Sequence, residues 1–130
     1  MVATRNMPKW LGLGLVLAAA LASAAWAQGA SQFDGDYVGE LTLTGIVNGD
    51  CTKPPLGSAY PLSISGGVVR FKYVPRFDTI LTGRIDPTGS FKATARVKSG
   101  VITMTGRVQA GNVNAKIQSP SCLYSFQSGQ

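Results

Sequence analysis

Apolar and polar residues alternate from Leu81 to Val97, LTGRIDPTGSFKATARV, with one break at Asp86-Pro87-Thr88-Gly89. A period of two buries one face of a strand, and a Pro/Gly break reverses the chain, so this stretch predicts an antiparallel hairpin. A looser copy follows from Met104 to Ile117, MTGRVQAGNVNAKI, which repeats Thr-Gly-Arg and turns at Ala110-Gly111.

The same alternation extends in both directions. A first strand from Asp36 to Thr44 places Tyr37, Gly39, Leu41 and Leu43 on one face and Glu40, Thr42 and Thr44 on the other. Ile46 to Ala59 is irregular and carries Asn48-Gly49, Cys51 and Pro54-Pro55; adjacent prolines exclude a central strand, so this is a loop. Tyr60, Leu62 and Ile64 mark a second strand, Ser65-Gly66-Gly67 a turn, and Val69, Phe71 and Tyr73 the inward face of a third. After a short loop at Pro75-Arg76-Phe77, the inward sets become Leu81, Gly83 and Ile85, then Phe91, Ala93, Ala95 and Val97. Ile102, Met104, Gly106 and Val108 follow, then Val113, Ala115 and Ile117, and finally Cys122, Tyr124 and Phe126 on an eighth strand. No stretch after the N-terminal segment repeats convincingly every 3.6 residues, so no helix beyond a turn or two is expected.

Eight strands joined mainly by short turns form a meander. If the first runs up, the eighth runs down, and the end of one shares a rim with the start of the other. Cys51 lies just past the first strand and Cys122 opens the eighth, so adjacency of first and last strands predicts a disulfide between them. Closure also removes the two open edges of a flat sheet. The expected class is all-β: a small eight-stranded antiparallel up-and-down barrel with one disulfide, a two-layer meander sandwich being the alternative.

The N-terminus sets the expected compartment. Arg5 and Lys9 precede an apolar run, Trp10 to Ala22, and Ala25-Trp26-Ala27 forms an A-x-A cleavage pattern. The run is shorter than the ~20 residues of a helical span, and no cysteine follows it to take a lipid. Residues 1–27 are therefore read as a cleaved signal peptide, 28–35 as a flexible lead-in and 36–130 as one domain, periplasmic or secreted. Export fits a disulfide, because that compartment permits one. The whole chain carries +6; beyond the signal peptide ten Lys/Arg face six acids, leaving +4, only mildly basic.

The chemistry is bounded by what is missing. The chain has no histidine, which excludes Ser-His-Asp and Cys-His arrangements and His-based zinc sites. Asp34, Asp36, Asp50, Asp78 and Asp86 fall at strand ends and turns, where Asp bonds its own backbone, and Glu40 reads as a solvated charge. Asp34-Gly35-Asp36 resembles the start of a calcium loop but lacks the later ligands. A non-enzymatic protein with no catalytic residues, metal or cofactor is expected.

Three binding surfaces come forward. The outward positions of strands three to seven carry Arg70, Lys72, Arg84, Lys92, Arg96, Lys98, Arg107 and Lys116, interleaved with Thr82, Thr94, Thr103 and Thr105. Such a one-signed face attracts anionic partners, an envelope lipid, an acidic polymer or an acidic protein, although solubility alone also favours exposed Lys and Arg. No aromatic residue is interleaved, which argues against nucleic acid. The second surface is the 46–59 loop, where Asn48, Asp50, Lys53, Pro54 and Pro55, with Phe77 beside them, form a stiffened segment suited to a protein target, as in an enzyme inhibitor. Its plainer reading is a connection stapled by Cys51. The third is the interior, either filled by large side chains opposite small ones or left with a small cavity for an apolar ligand.

The pattern FDGDYVGELTLTG…C…LSISGGVV…LTGRIDPTGSF…TGRV…SCLYSF resembles a loose group of small exported proteins of Gram-negative proteobacteria. The likeness covers most of the chain after the signal segment and implies compartment and fold, with no activity attached. Small periplasmic lysozyme-inhibitor barrels are similar in size and architecture, but their binding-loop signatures do not occur here.

Overall fold

A computed structural model describes residues 31–74 and 79–128. Its strands are β1 (Gly35–Ile46), β2 (Tyr60–Ser65), β3 (Val68–Val74), β4 (Thr79–Ile85), β5 (Ser90–Val97), β6 (Gly100–Gln109), β7 (Asn112–Gln118) and β8 (Cys122–Ser128). Each pairs antiparallel with the next, and β1 pairs with β8, so the sheet closes into an eight-stranded up-and-down barrel rather than a sandwich. The Cys51–Cys122 disulfide stands where the ends of β1 and β8 meet, its Cα atoms 5.8 Å apart. The expected signal peptide, residues 1–27, lies outside the described residues.

The inward side chains are those the alternation selects. Phe71, Phe126, Leu62, Leu81, Met104, Ile117, Val69 and Val113 are the largest fully buried ones, and they belong to one continuous core. Phe71 and Phe126 meet edge to face with ring centres 5.1 Å apart. Small residues make room for large ones: a Cβ on Gly106 would lie 2.5 Å from that of Ala115 and 2.8 Å from the Phe91 ring. Gly83 gives the same relief to β5, whose Lys92 carbonyl would collide with any side chain there.

Residues 31–35, the described part of the lead-in, make contacts with the barrel rim. The Asp34 carboxylate accepts hydrogen bonds from the Gly66 and Gly67 amides, at 2.7 and 3.1 Å, and so clamps the β2–β3 turn. The Tyr37 hydroxyl donates to the Phe33 carbonyl at 2.6 Å, while the Phe33 side chain packs against the core beside Gly89. A segment without alternation can still dock when one aromatic ring and one carboxylate find a rim. β1 also runs two residues past its expected end, to Ile46, because a bulge between Leu43 and Gly45 restores its pairing with β8.

The turns follow their sequences. Asp86 Oδ1 accepts from the Thr88 amide (2.9 Å), the Thr88 hydroxyl (2.6 Å) and the Ser90 amide (3.1 Å), fixing the β4–β5 turn. The β6–β7 hairpin closes through Ala110 and Gly111, whose φ values of 52° and 79° match a type I′ turn. Alanine is an uncommon choice for left-handed backbone, which costs an ordinary L-residue about 1–2 kcal/mol and asparagine less. Ala110→Asn is therefore expected to stabilise the barrel by about 0.5–1 kcal/mol, read as a higher denaturation midpoint at unchanged m-value.

Candidate ligand-binding site

Closure fixes which outward side chains are neighbours. Cross-strand register lines up Thr42, Ser125, Lys116, Thr105, Lys92 and Arg84 in one row over β1, β8, β7, β6, β5 and β4. A second row, two residues along, contains Glu40, Gln127, Asn114, Arg107 and Ser90. Arg84 and Lys92 thus stand directly opposite each other, a like-charge pairing that works against the fold. Lys92 and Arg107 are diagonal neighbours through Thr105, as are Arg107 and Lys116 through Asn114.

The remaining basic residues extend the wall. Arg70 lies between Ser63 and Thr82, Arg96 faces Val101 and Lys72 pairs with Ile80. Arg70, Arg84, Lys92, Arg96, Arg107 and Lys116 are exposed, while Lys72 is half-buried. No acid lies within β3, β4, β5, β6 or β7. The Asp86 carboxyl sits below the usual carboxylate range, first through the Thr88 hydroxyl and also through the nearby Arg107. Asp34 and Asp86 organise turns at the rim, with Asp86 close enough to Arg107 to interact with it, and Glu40 ends the Arg107 row three strands away.

The disulfide loop lies on the other side of the barrel, since β1 and β5 are four strands apart in either direction. Within β1, only Gly35 to Gly39 pair with β2; from Glu40 onward β1 pairs with β8 alone. The loop descends along the edge this leaves, with Lys53, Pro54 and Pro55 across a narrow crevice from Glu40 to Leu43. The Tyr124 hydroxyl donates to the Thr52 carbonyl at 2.8 Å, and the Asn48 amide donates to Ser121 at 3.2 Å. Asn48, Asp50, Lys53 and Pro55 are exposed, Pro54 is half-buried, and Phe77 lies outside the described residues. A turn from Pro55 to Ser58, closed by a 3.2 Å bond and by Gly57 at φ 78°, leaves Leu56 fully exposed.

Beside the loop, an open cleft of about 600 Å³ is lined by Glu40, Gln127, Asn112, Asn114 and Ser128, with Gly57 to Ala59 forming part of its wall. An adjoining depression of about 330 Å³ shares Asn114 and Gln127 and includes Arg107 and Lys116. Sequence reasoning missed this amide-rich surface, because Asn112, Asn114 and Gln127 read as ordinary outward polar residues. Only their register across β7 and β8 brings them together. Comparison with protein-family models, curated proteins and solved structures finds no match to this chain. Among the described residues, no three of His, Cys, Asp and Glu cluster as metal ligands.

Above the core, Tyr73 and Tyr124 meet edge to face at 5.9 Å. Burial pushes the Tyr73 phenol up to about 12, with the neighbouring Tyr124 adding to the rise. A phenol whose pKa rises on folding contributes stability that is complete below its unfolded value and is lost as pH climbs through the folded one. Stability is therefore expected to fall between about pH 10 and about pH 12, tracking a late tyrosinate absorbance, and Tyr73→Phe should flatten that decline.

Proposed function

We propose that this is a non-enzymatic binding protein of the periplasm or cell exterior whose β3–β7 wall holds an anionic component of the envelope. The N-terminal pattern and the disulfide support that compartment, since cystines persist where thiols are oxidised. The observation that carries the reading is Arg84 facing Lys92 in register, with Lys116 on the same row and Arg107 diagonal to Lys92. Solubility explains scattered cations but gives no reason to align like charges; a bound anion does, by turning their repulsion into shared attraction. Titration with anionic vesicles, neutral vesicles and an acidic polysaccharide at rising salt tests it. Binding should be confined to anionic probes and weaken with salt. Lys92→Ala should lower affinity about fivefold, as about 1 kcal/mol per cation implies, while stability holds or rises. Absent or salt-insensitive binding overturns the reading.

A second reading has an observation of its own. Leu56 projects fully exposed from a turn on a loop anchored by the disulfide and by Tyr124. A pre-ordered loop presenting an apolar tip suits insertion into a pocket on a protein target, such as an enzyme to be inhibited. Affinity capture from periplasmic extract should then retain a partner that Leu56→Asp releases, and identical captures would remove this reading. The packed interior offers no comparable support for an apolar-ligand carrier.

A further inference from the structure

Glu40, Gln127, Asn114 and Arg107 form a ladder across four consecutive strands. At the usual spacing of ~4.8 Å between strands it spans roughly 14 Å. On one side lies the 600 Å³ cleft, walled by the disulfide loop; on the other, the depression that carries Arg107 and Lys116. The groove therefore passes from amides and a carboxylate to cations without leaving the outer wall. We propose that it is a saccharide subsite and that the anion on the basic wall is an acidic polysaccharide. The second part rests on the anion-binding reading above.

Three features select a sugar over a lipid phosphate. The first is the balance of donors and acceptors. Asn114 and Gln127 each donate and accept, as vicinal hydroxyls do, whereas Glu40 only accepts. A phosphate brings no hydroxyl-like set of donors to that carboxylate; a sugar ring does. The second is Asn112, whose Oδ1 is buried with no hydrogen-bond partner among the described residues. A buried unsatisfied acceptor costs about 1–3 kcal/mol, and a turn of the half-buried Asn112 side chain toward the cleft it lines would let a ligand hydroxyl remove that cost. The third is shape. Cations spread over five of eight barrel strands cannot all meet a flat bilayer, but a flexible polymer follows the curve. Val38 and Ala59 supply apolar surface beside the amides for the C–H face of a ring.

The test uses the intact exported protein and four probes: an oligogalacturonate, an oligomannuronate, the neutral methyl ester of the first, and inorganic polyphosphate of equal charge. The readouts are dissociation constants and the NMR shifts of the Asn112, Asn114 and Gln127 side-chain amides. At least one acidic oligosaccharide should shift those amides and bind about tenfold tighter than polyphosphate, about the effect of one to two added hydrogen bonds. Joint Asn114→Ala and Gln127→Ala should remove that tenfold and leave polyphosphate binding unchanged, and both positions are exposed, so the barrel should fold. Joint Arg84→Ala and Lys92→Ala should weaken both anions together. Equal affinity for oligosaccharides and polyphosphate, with the amide variant indifferent, overturns the saccharide subsite while the anionic wall stands. No binding of any anion, with the methyl ester still shifting the amides, overturns the wall and keeps the subsite. Amides that respond to none of the three saccharides end the proposal.

Discussion

The barrel depends on how β1 passes from one partner to another. Its last pairing with β2 is at Gly39 and its first with β8 is at Glu40, so the strand changes neighbour between adjacent residues. At that step the Gln127 backbone and the Phe126 ring close on Gly39: a Cβ there would lie 2.5 Å from the Gln127 oxygen and 2.7 Å from the ring. Glycine permits this approach, and Phe126 then uses the space to reach Phe71 across the interior. Further up, the disulfide holds β1 and β8 together over a sequence separation of 71, worth roughly 4 kcal/mol if unfolded-chain entropy is its main effect. The contact at Gly39 is thus where β1 joins both the interior and, through Glu40, the outer rows.

Much of this arrangement was legible in the chain. Period-two alternation gives each strand's inward face, and the two cysteines favour a closed barrel over the sandwich alternative, a choice that the β1–β8 pairing decides. What could not be read is lateral. Register depends on bulges, such as that between Leu43 and Gly45 and that between Lys72 and Val74, and neither has a sequence signature here. The basic residues were therefore visible as a set, but not the opposition of Arg84 to Lys92. Asn114 and Gln127 are thirteen residues apart and become neighbours only through β7–β8 pairing. The docking of Phe33 and Asp34 was equally hidden, since a single anchored turn has no periodicity to betray it.

Stability and the proposed binding belong to opposite faces of the same strands. The interior supplies the favourable burial, with Val69, Phe71, Leu81, Ala93, Met104, Val113 and Phe126 shut off from solvent. The outer side of β4 and β5 is left free to hold charges that repel each other. No acid stands within β4 or β5 beside that pair; Asp34 and Asp86 lie at the rims, where they organise turns through backbone amides. The like-charge opposition of Arg84 and Lys92 is a feature that works against the fold and would suit an anionic partner.

The loop after β1 shows why the cleft and the disulfide belong together. From Glu40 to Ile46, β1 has no β2 residues alongside, and a bare strand edge invites pairing with another chain. Lys53, Pro54 and Pro55 run beside that edge instead; proline cannot donate to a ladder, so the loop covers the edge without extending the sheet. A segment that covers without pairing needs an anchor, and Cys51 and Thr52 provide it through Cys122 and Tyr124. Because the loop is held beside β1, its descending arm from Gly57 to Ala59 can stand as a wall opposite Asn112 and Gln127. The missing pairing that would otherwise be a liability thus becomes a recess, bordered by Asn112, Asn114 and Gln127.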